Sequence, residues 1–380
     1  MKKLVSLILA ATMAFGLVAC GSKTDSSSET TSVDTQSSEE GGNSSNSSGA
    51  EIALVTDVGT IDDKSFNQGS WEGVVKFAEE KGISHKYYQP AEKSNEAIAT
   101  AIELAIKGGA KTVVCPGFLF EVPVYNMQQK YPDVKFIIID GTPQDGNQEN
   151  PVYEVGDNTE AIYFAEEQAG FLAGYGAVID GYRNLGFMGG IAVPAVIRYG
   201  YGFVQGAEYA GKELGLAPGE ITMNYTYVGD FEASPDHTAK AAAWYNEGVE
   251  VIFACGGGVG NSVMKAAETA GKKVIGVDVD QSVESETVIT SAMKNLQNAV
   301  YKSLSEIYDG TFAGGKTVNL GAATDDILLP METSKFETFN QEQYDAIYRK
   351  ISNKEIELKN ETAADKPDGL GSEIVAVNFQ

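Results

Sequence analysis

Residues 52–73 read Ile52-Ala-Leu-Val-Thr-Asp57-Val-Gly-Thr-Ile-Asp62-Asp63-Lys-Ser65-Phe66-Asn67-Gln68-Gly-Ser-Trp71-Glu-Gly73. The stretch opens on a short apolar run, Ile52 to Val55, which reads as a buried strand. The run ends at Asp57, and a Gly-containing loop follows. Ser65-x-x-Gln68 is a capping-box pattern, and Trp71, Val74, Val75 and Ala78 continue at helical spacing. Strand, polar loop and helix N-terminus, in that order, make the unit at whose carboxyl end α/β sheets hold ligands. This loop supplies the carboxylates Asp57, Asp62 and Asp63, the amide of Asn67 and the aromatic Phe66. Those groups suit a flat molecule rich in hydrogen-bonding edges.

Outward from that unit, strand and helix patterns alternate. Strands are expected at 85–88, 112–115 and 135–140, with helices over 69–81, 95–107 and 123–130. That is a βαβ series, hence a parallel sheet covered on both faces. Val152 to Val155 reads as a further strand, and Gly156-Asp157-Asn158 as a break where the chain first crosses between lobes. Thr159 to Val178 reads as one helix. The rhythm then restarts with strands at 185–188, 221–228, 250–255 and 273–278, separated by helices at 196–214, 234–247 and 261–270. A helix over 296–308, a strand near Ile327-Leu328-Leu329 and a polar helix over 341–350 complete the chain. The reading is an α/β protein of two doubly wound parallel-sheet lobes joined by a hinge, with a cleft between them.

The strand ends form a pattern of their own. Asp57 closes the first, Asp140 the Ile-Ile-Ile run, and Gly189-Gly190 the Gly-Phe-Met run. Val228-Gly-Asp-Phe231, Gly256-Gly257-Gly258 and Asp278-Val-Asp-Gln281 close three more. In a parallel sheet these ends share one side, so the groups converge on one cleft. The triple glycine matches neither a phosphate-binding loop nor a clean G-x-G-x-x-G, and reads as close backbone approach to a ligand.

The 380-residue length suits two domains, and the net charge of −25 argues against nucleic-acid partners, whose phosphates such a surface repels. Residues 1–19 carry Lys2 and Lys3, an apolar middle and a small residue before Cys20, the build of a signal peptide. Leu17-Val-Ala-Cys20-Gly-Ser22 resembles a bacterial lipoprotein processing site, which implies cleavage before Cys20 and acylation of its thiol. Residues 21–50 hold 11 Ser, 4 Thr and 4 Gly, too little apolar surface to fold, and read as a tether reaching on the order of 30 Å. Cys115 and Cys255 read as buried thiols at strand ends rather than a disulfide. With only His85 and His237 in the chain, no Cys/His set suits zinc.

The motifs Thr56-Asp57-Val-Gly59, Asp62-Asp63-Lys-Ser-Phe66-Asn67, Gly186-Phe-Met-Gly-Gly190 and Val274-Ile-Gly-Val-Asp278-Val-Asp-Gln281 together resemble the basic membrane protein family of bacterial lipoproteins. The resemblance covers about residues 51–310. It implies the type I periplasmic-binding fold and a solute-binding component of an ABC importer on the outer face of the cytoplasmic membrane. It further implies a purine nucleoside ligand (adenosine, guanosine or inosine), delivery to a permease, and no cofactor, metal or chemistry. By the same resemblance Phe66 stacks on the base, Asp57 and Asn67 lie beside it, and Asp140 reads base or ribose edges. Gly257 and Asp278 lie around the ribose, and Lys294 contacts it. The second stacking ring is Phe231 or Tyr199. The expected division is a signal peptide over 1–19, a lipidated cysteine and linker over 20–50, a first lobe of 51–156 with 292–316, and a second of 157–291 with 317–380.

Two other readings share these residues. A nucleoside-hydrolysing enzyme would carry a calcium-binding D-x-D-x-x-x-D-D loop. Here Val55 takes the first carboxylate position, and Asp57 stands one residue too far from Asp62. Two scattered histidines make no Ser-His-Asp set. The same fold could instead bind a sugar or autoinducer, but the number of Asp at strand ends favours a base.

Overall fold

A computed structural model describes residues 49–57, 59–312 and 314–380. The expected signal peptide, Cys20 and nearly all of the tether lie outside the described residues. The first half of the folded body contains β1 (Ile52–Val55), α1 (Phe66–Lys81), β2 (His85–Tyr88), α2 (Asn95–Lys107), β3 (Thr112–Pro116), α3 (Glu121–Lys130), β4 (Lys135–Ile139) and β5 (Thr159–Phe164). Then come α4 (Glu166–Ile179), β6 (Asn184–Gly189), α5 (Pro194–Glu213), β7 (Ile221–Tyr227), α6 (Pro235–Asn246), β8 (Val251–Cys255), α7 (Gly258–Ala270), β9 (Lys273–Asp278) and β10 (Val288–Lys294). The chain ends with α8 (Leu296–Tyr308), β11 (Lys316–Leu320), β12 (Ile327–Leu328), α9 (Gln341–Ser352) and β13 (Val375–Phe379).

Two sheets result. The first has the order β11-β5-β4-β3-β1-β2, all parallel. The second runs β12-β10-β9-β8-β6-β7-β13, parallel except for the β10–β12 pair. Strands buried on both faces explain the continuous apolar runs. In β4, Ile137 and Ile139 enter one core while Phe136 and Ile138 enter the other, and none of the four is exposed. Each such side chain contributes about 1.5–3 kcal/mol by leaving water.

The lobe boundaries differ from expectation, because strand pairing rather than composition decides them. Thr159 to Phe164 is a strand beside β4, not the start of a helix, so the first crossing falls at Ala165. Val288 to Lys294 pairs with β9, which keeps residues 292–294 in the second sheet and moves the second crossing to Asn295. Lys316 to Leu320 pairs with β5 and returns residues 317–320 to the first sheet. The third crossing therefore lies in residues 321–326. Val152 to Val155 forms no strand; a single bridge joins Gln144 to Tyr153.

At each of the first two crossings the helix changes sides. α4 follows a strand of the first sheet and packs on α5 of the second lobe; α8 follows a strand of the second sheet and packs on α1 of the first. The α4–α5 approach is the closer. A Cβ on Gly170 would sit 2.1 Å from the Tyr199 carbonyl oxygen, and one on Gly174 2.2 Å from that of Phe203. Glycine there lets two backbones touch, and that contact sets where α5 presents Arg198 and Tyr199.

Candidate functional site

The first lobe's contribution begins after β1. Asp57 Oδ1 accepts from Gly59 N–H at 2.7 Å and from Asn67 Nδ2 at 2.8 Å. Asp63 accepts four bonds: from the N–H groups of Ser65, Asn67 and Gln68 at 2.9–3.0 Å, and from Asn67 Nδ2 at 3.0 Å. It is therefore Asp63 that satisfies the orphan donors at the start of α1. The expected capping box does not form, since the Ser65 side chain makes no cap bond. That hydroxyl instead crosses the cleft and donates to Asp278 Oδ2 at 2.5 Å. With α1 anchored in this way, Phe66 turns its ring into the cleft.

Asp140, following β4, and Asp278, ending β9, face each other from the two sheets. Both hold left-handed backbones, φ 57° and 66°, a conformation costly for a residue with a Cβ and concentrated at functional sites. Between them lies Lys294, at the second crossing, 97% buried. Its Nζ donates to Asp140 Oδ2 at 2.5 Å and lies 3.4 Å from Glu166 Oε1 and 3.6 Å from Asp278 Oδ1. It also sits 4.5 Å from the centre of the Phe66 ring, a cation–π distance. Tyr199 donates its hydroxyl to Asp278 Oδ1 at 3.3 Å and meets Phe253 edge-on.

On the far wall, Phe231 packs against Gly190, where any Cβ would come within 2.3 Å of the ring. Gly257 adopts φ 53° and ψ −121°, open only to glycine, and starts α7 beside that ring. All nine residues singled out as ligand contacts line one cavity: Asp57, Phe66, Asn67, Asp140, Tyr199, Phe231, Gly257, Asp278 and Lys294. Asp63, one of the loop carboxylates noted in the sequence, also lines it, as do Gly117, Phe118 and the start of α5, residues 193–196, none of which stood out as a contact in the sequence. Cys255 also lines it and, like Cys115, is a buried free thiol.

The charges are those of a dry site. Burial pushes the Asp57 carboxyl up to about 6, against the hydrogen bonds from Gly59 and Asn67. Burial likewise pushes Asp140 up to about 7; the Lys294 ammonium opposes this and Glu166 adds to it. Burial works against the charge on Lys294, but Asp140, Asp278 and Glu166 outweigh it and hold the ammonium above its ordinary range. Burial also disfavours the charge on Glu166, yet Arg198 and Lys294 bring that carboxyl below its usual value. Arg198 Nε meets Glu166 Oε2 at 2.6 Å. Neither Glu166 nor Arg198 was legible as part of the site. The signal available was an acidic first turn opening an almost wholly apolar helix, and one of only three arginines in the chain.

One acceptor of the cavity lining is left over: Asp140 Oδ1 is buried and has no hydrogen-bond partner among the described residues. A lining of two aromatic faces from opposite lobes, several carboxylates and one paired ammonium can grip a neutral planar solute by its faces and its N–H and O–H edges.

Comparison with known proteins agrees with this geometry. The family described as ABC transporter substrate-binding protein PnrA-like (Bmp) matches residues 50–362. The basic membrane protein A of Borreliella burgdorferi is 30% identical over 80% of this chain and 86% of its own length. The ABC transporter nucleoside-binding protein BmpA of Lactococcus lactis is 28% identical over 75% of this chain and 83% of its own. An ABC transporter solute-binding protein from Aeropyrum pernix superposes with a TM-score of 0.70 at 22% identity, covering 84% of this chain and 95% of that one, and shares the fold. The chain thus belongs to the Bmp family, the PnrA-like substrate-binding proteins of ABC transporters, and carries their two-lobed periplasmic-binding fold.

Proposed function

We propose that the cleft captures a purine nucleoside, that the protein passes it to the permease of an ABC importer without altering it, and that a lipid on Cys20 holds the protein at the outer face of the cytoplasmic membrane. The observation that carries the ligand reading is the free Oδ1 of Asp140, a buried acceptor inside an aromatic-walled cavity. An unsatisfied buried acceptor of this kind is costly, and a base N–H or ribose O–H relieves it. The nucleoside-binding relative from Lactococcus lactis supports the same solute class.

In this reading Phe66 stacks on one face of the base. Phe231 takes the other face, because it comes from the opposite lobe and lines the cavity across from Phe66. Tyr199 is a wall rather than a stacking partner, since its hydroxyl is tied to Asp278 and its ring to Phe253. Asp57 and Asn67 meet the base edge; Asp278, Lys294 and the backbone at Gly257 surround the ribose. The carboxylate-rich lining disfavours phosphorylated forms. Mass spectrometry of the small molecule released from purified protein on denaturation tests the assignment. A purine nucleoside is expected, and a free sugar in its place would contradict it.

A further inference from the structure

The charges behind Lys294 have no part in the binding scheme above, yet they are arranged as a chain. Arg198, in the first turns of α5, donates from Nε to Glu166 Oε2 at 2.6 Å. Glu166 opens α4 directly after the first crossing and is fully buried. Its other oxygen, Oε1, lies 3.4 Å from Nζ of Lys294, at the second crossing. Three carboxylates thus surround one ammonium, and the distances rank them: Asp140 at 2.5 Å, Glu166 at 3.4 Å, Asp278 at 3.6 Å.

The ranking depends on Arg198. A buried carboxylate without a cation is strongly destabilising. With Arg198 in place, Glu166 already has one and makes only a long contact to Lys294. Without Arg198, the one cation within 4 Å of Glu166 among the described residues is Lys294. The ammonium would then be drawn from Asp140 toward Glu166, and the acceptor at the end of β4 would lose its partner. We propose that Arg198 is a positioning residue of the ligand site: by occupying Glu166 at the hinge it leaves Lys294 to Asp140, and so orients the carboxylate that the solute meets. The part of this that concerns affinity rests on the nucleoside reading above; the part that concerns the Lys294–Asp140 pair does not.

The groups facing Asp140 are Lys294 from β10, Asp278 from β9, Glu166 from α4, Arg198 and Tyr199 from α5, and Tyr163 from β5. The test follows the Asp140 carboxyl carbon by NMR through a pH titration of the ligand-free protein, with Asp140→Asn to assign the signal. Arg198→Met is expected to move the Asp140 midpoint upward by about one pH unit or more. Arg198→Lys should fall between that and the natural protein. The double variant Arg198→Met/Glu166→Gln should return close to the natural midpoint, because a neutral amide no longer draws Lys294. Inosine affinity should follow the same order, about tenfold weaker in Arg198→Met and largely restored in the double variant. An unchanged Asp140 midpoint in Arg198→Met, or a double variant as impaired as the single one, would overturn the proposal and leave Arg198 a packing residue. If Arg198→Met does not fold, Arg198→Lys carries the test, and an unchanged midpoint there overturns it. If the midpoints behave as expected but the natural protein binds no nucleoside, the solute reading fails and the positioning role stands.

Discussion

Asp140 and Asp278 occupy the same place in the two sheets. Each stands at the carboxyl end of the fourth strand of its lobe, β4 and β9, each has a left-handed backbone, and Lys294 lies within 4 Å of both. The lobes are thus related by architecture although no residue-level repeat runs through the chain. The symmetry stops at the partners. Asp278 is bonded by Ser65 and Tyr199, whereas Asp140 is bonded by Lys294 on one oxygen and by none of the described residues on the other.

This asymmetry predicts different outcomes at the two positions. Asp278→Ala removes a carboxylate that the first lobe reaches through Ser65, and so loosens both closure and solute. Affinity for nucleoside should fall roughly tenfold to a hundredfold by calorimetry, with the far-UV spectrum unchanged. Ser65→Ala should lose less, because it breaks only the bond between lobes.

Phe66→Ala should weaken binding about tenfold or more, while Phe66→Tyr should keep most of it, since an aromatic face is what the base needs. The half-buried ring packs at the edge of the core, so the thermal midpoint of the ligand-free protein should change little. Equal affinity in Phe66→Ala and the natural protein would show that the ring is not a stacking surface.

Asp57 supplies a pH-dependent test. Its carboxyl is raised from 3.8 when unfolded to about 6 in the fold. The folded state therefore binds more protons than the unfolded state between those values, and stability falls as pH rises through that window. Asp57→Asn removes the buried charge and can still accept from Gly59 and Asn67. The ligand-free variant should melt higher than the natural protein at pH 7.5, with the gain shrinking toward zero near pH 4. A gain that is the same at both pH values would argue against the buried charge as its cause.

The contact between α4 and α5 predicts a structural defect. Gly174→Ala places a methyl within 2.2 Å of the Phe203 carbonyl oxygen, so the helices must separate. A loss of about 3 kcal/mol in chemical denaturation is expected, at the upper end of overpacking costs. Nucleoside affinity should fall as well, because α5 carries Arg198 and Tyr199.

Much of this was legible before any coordinates. The buried parallel strands announce themselves as β-branched runs, and their carboxyl ends name the side on which a site can form. Two of the edge strands did not announce themselves: Lys316 to Leu320 is mostly polar, Val375 to Phe379 is a run of only five residues, and pairing alone reveals them. The β5–α4 junction was hidden because Thr159 to Phe164 runs straight into an apolar helix with no glycine or proline between them. At Ser65 local pattern and tertiary structure competed, and the hydroxyl that a capping box would use was taken by Asp278, 213 residues away. Glu166 and Arg198 were invisible for the same reason, since their meaning lies in contacts between distant segments.

The most direct test of the account is calorimetric titration of the delipidated body, residues 49–380, with inosine, guanosine and adenosine beside ribose and adenosine monophosphate. The account predicts saturable heat with the nucleosides, and much weaker or no binding of the free sugar and the phosphorylated form. Silence with every nucleoside, together with saturable binding of ribose alone, would contradict it.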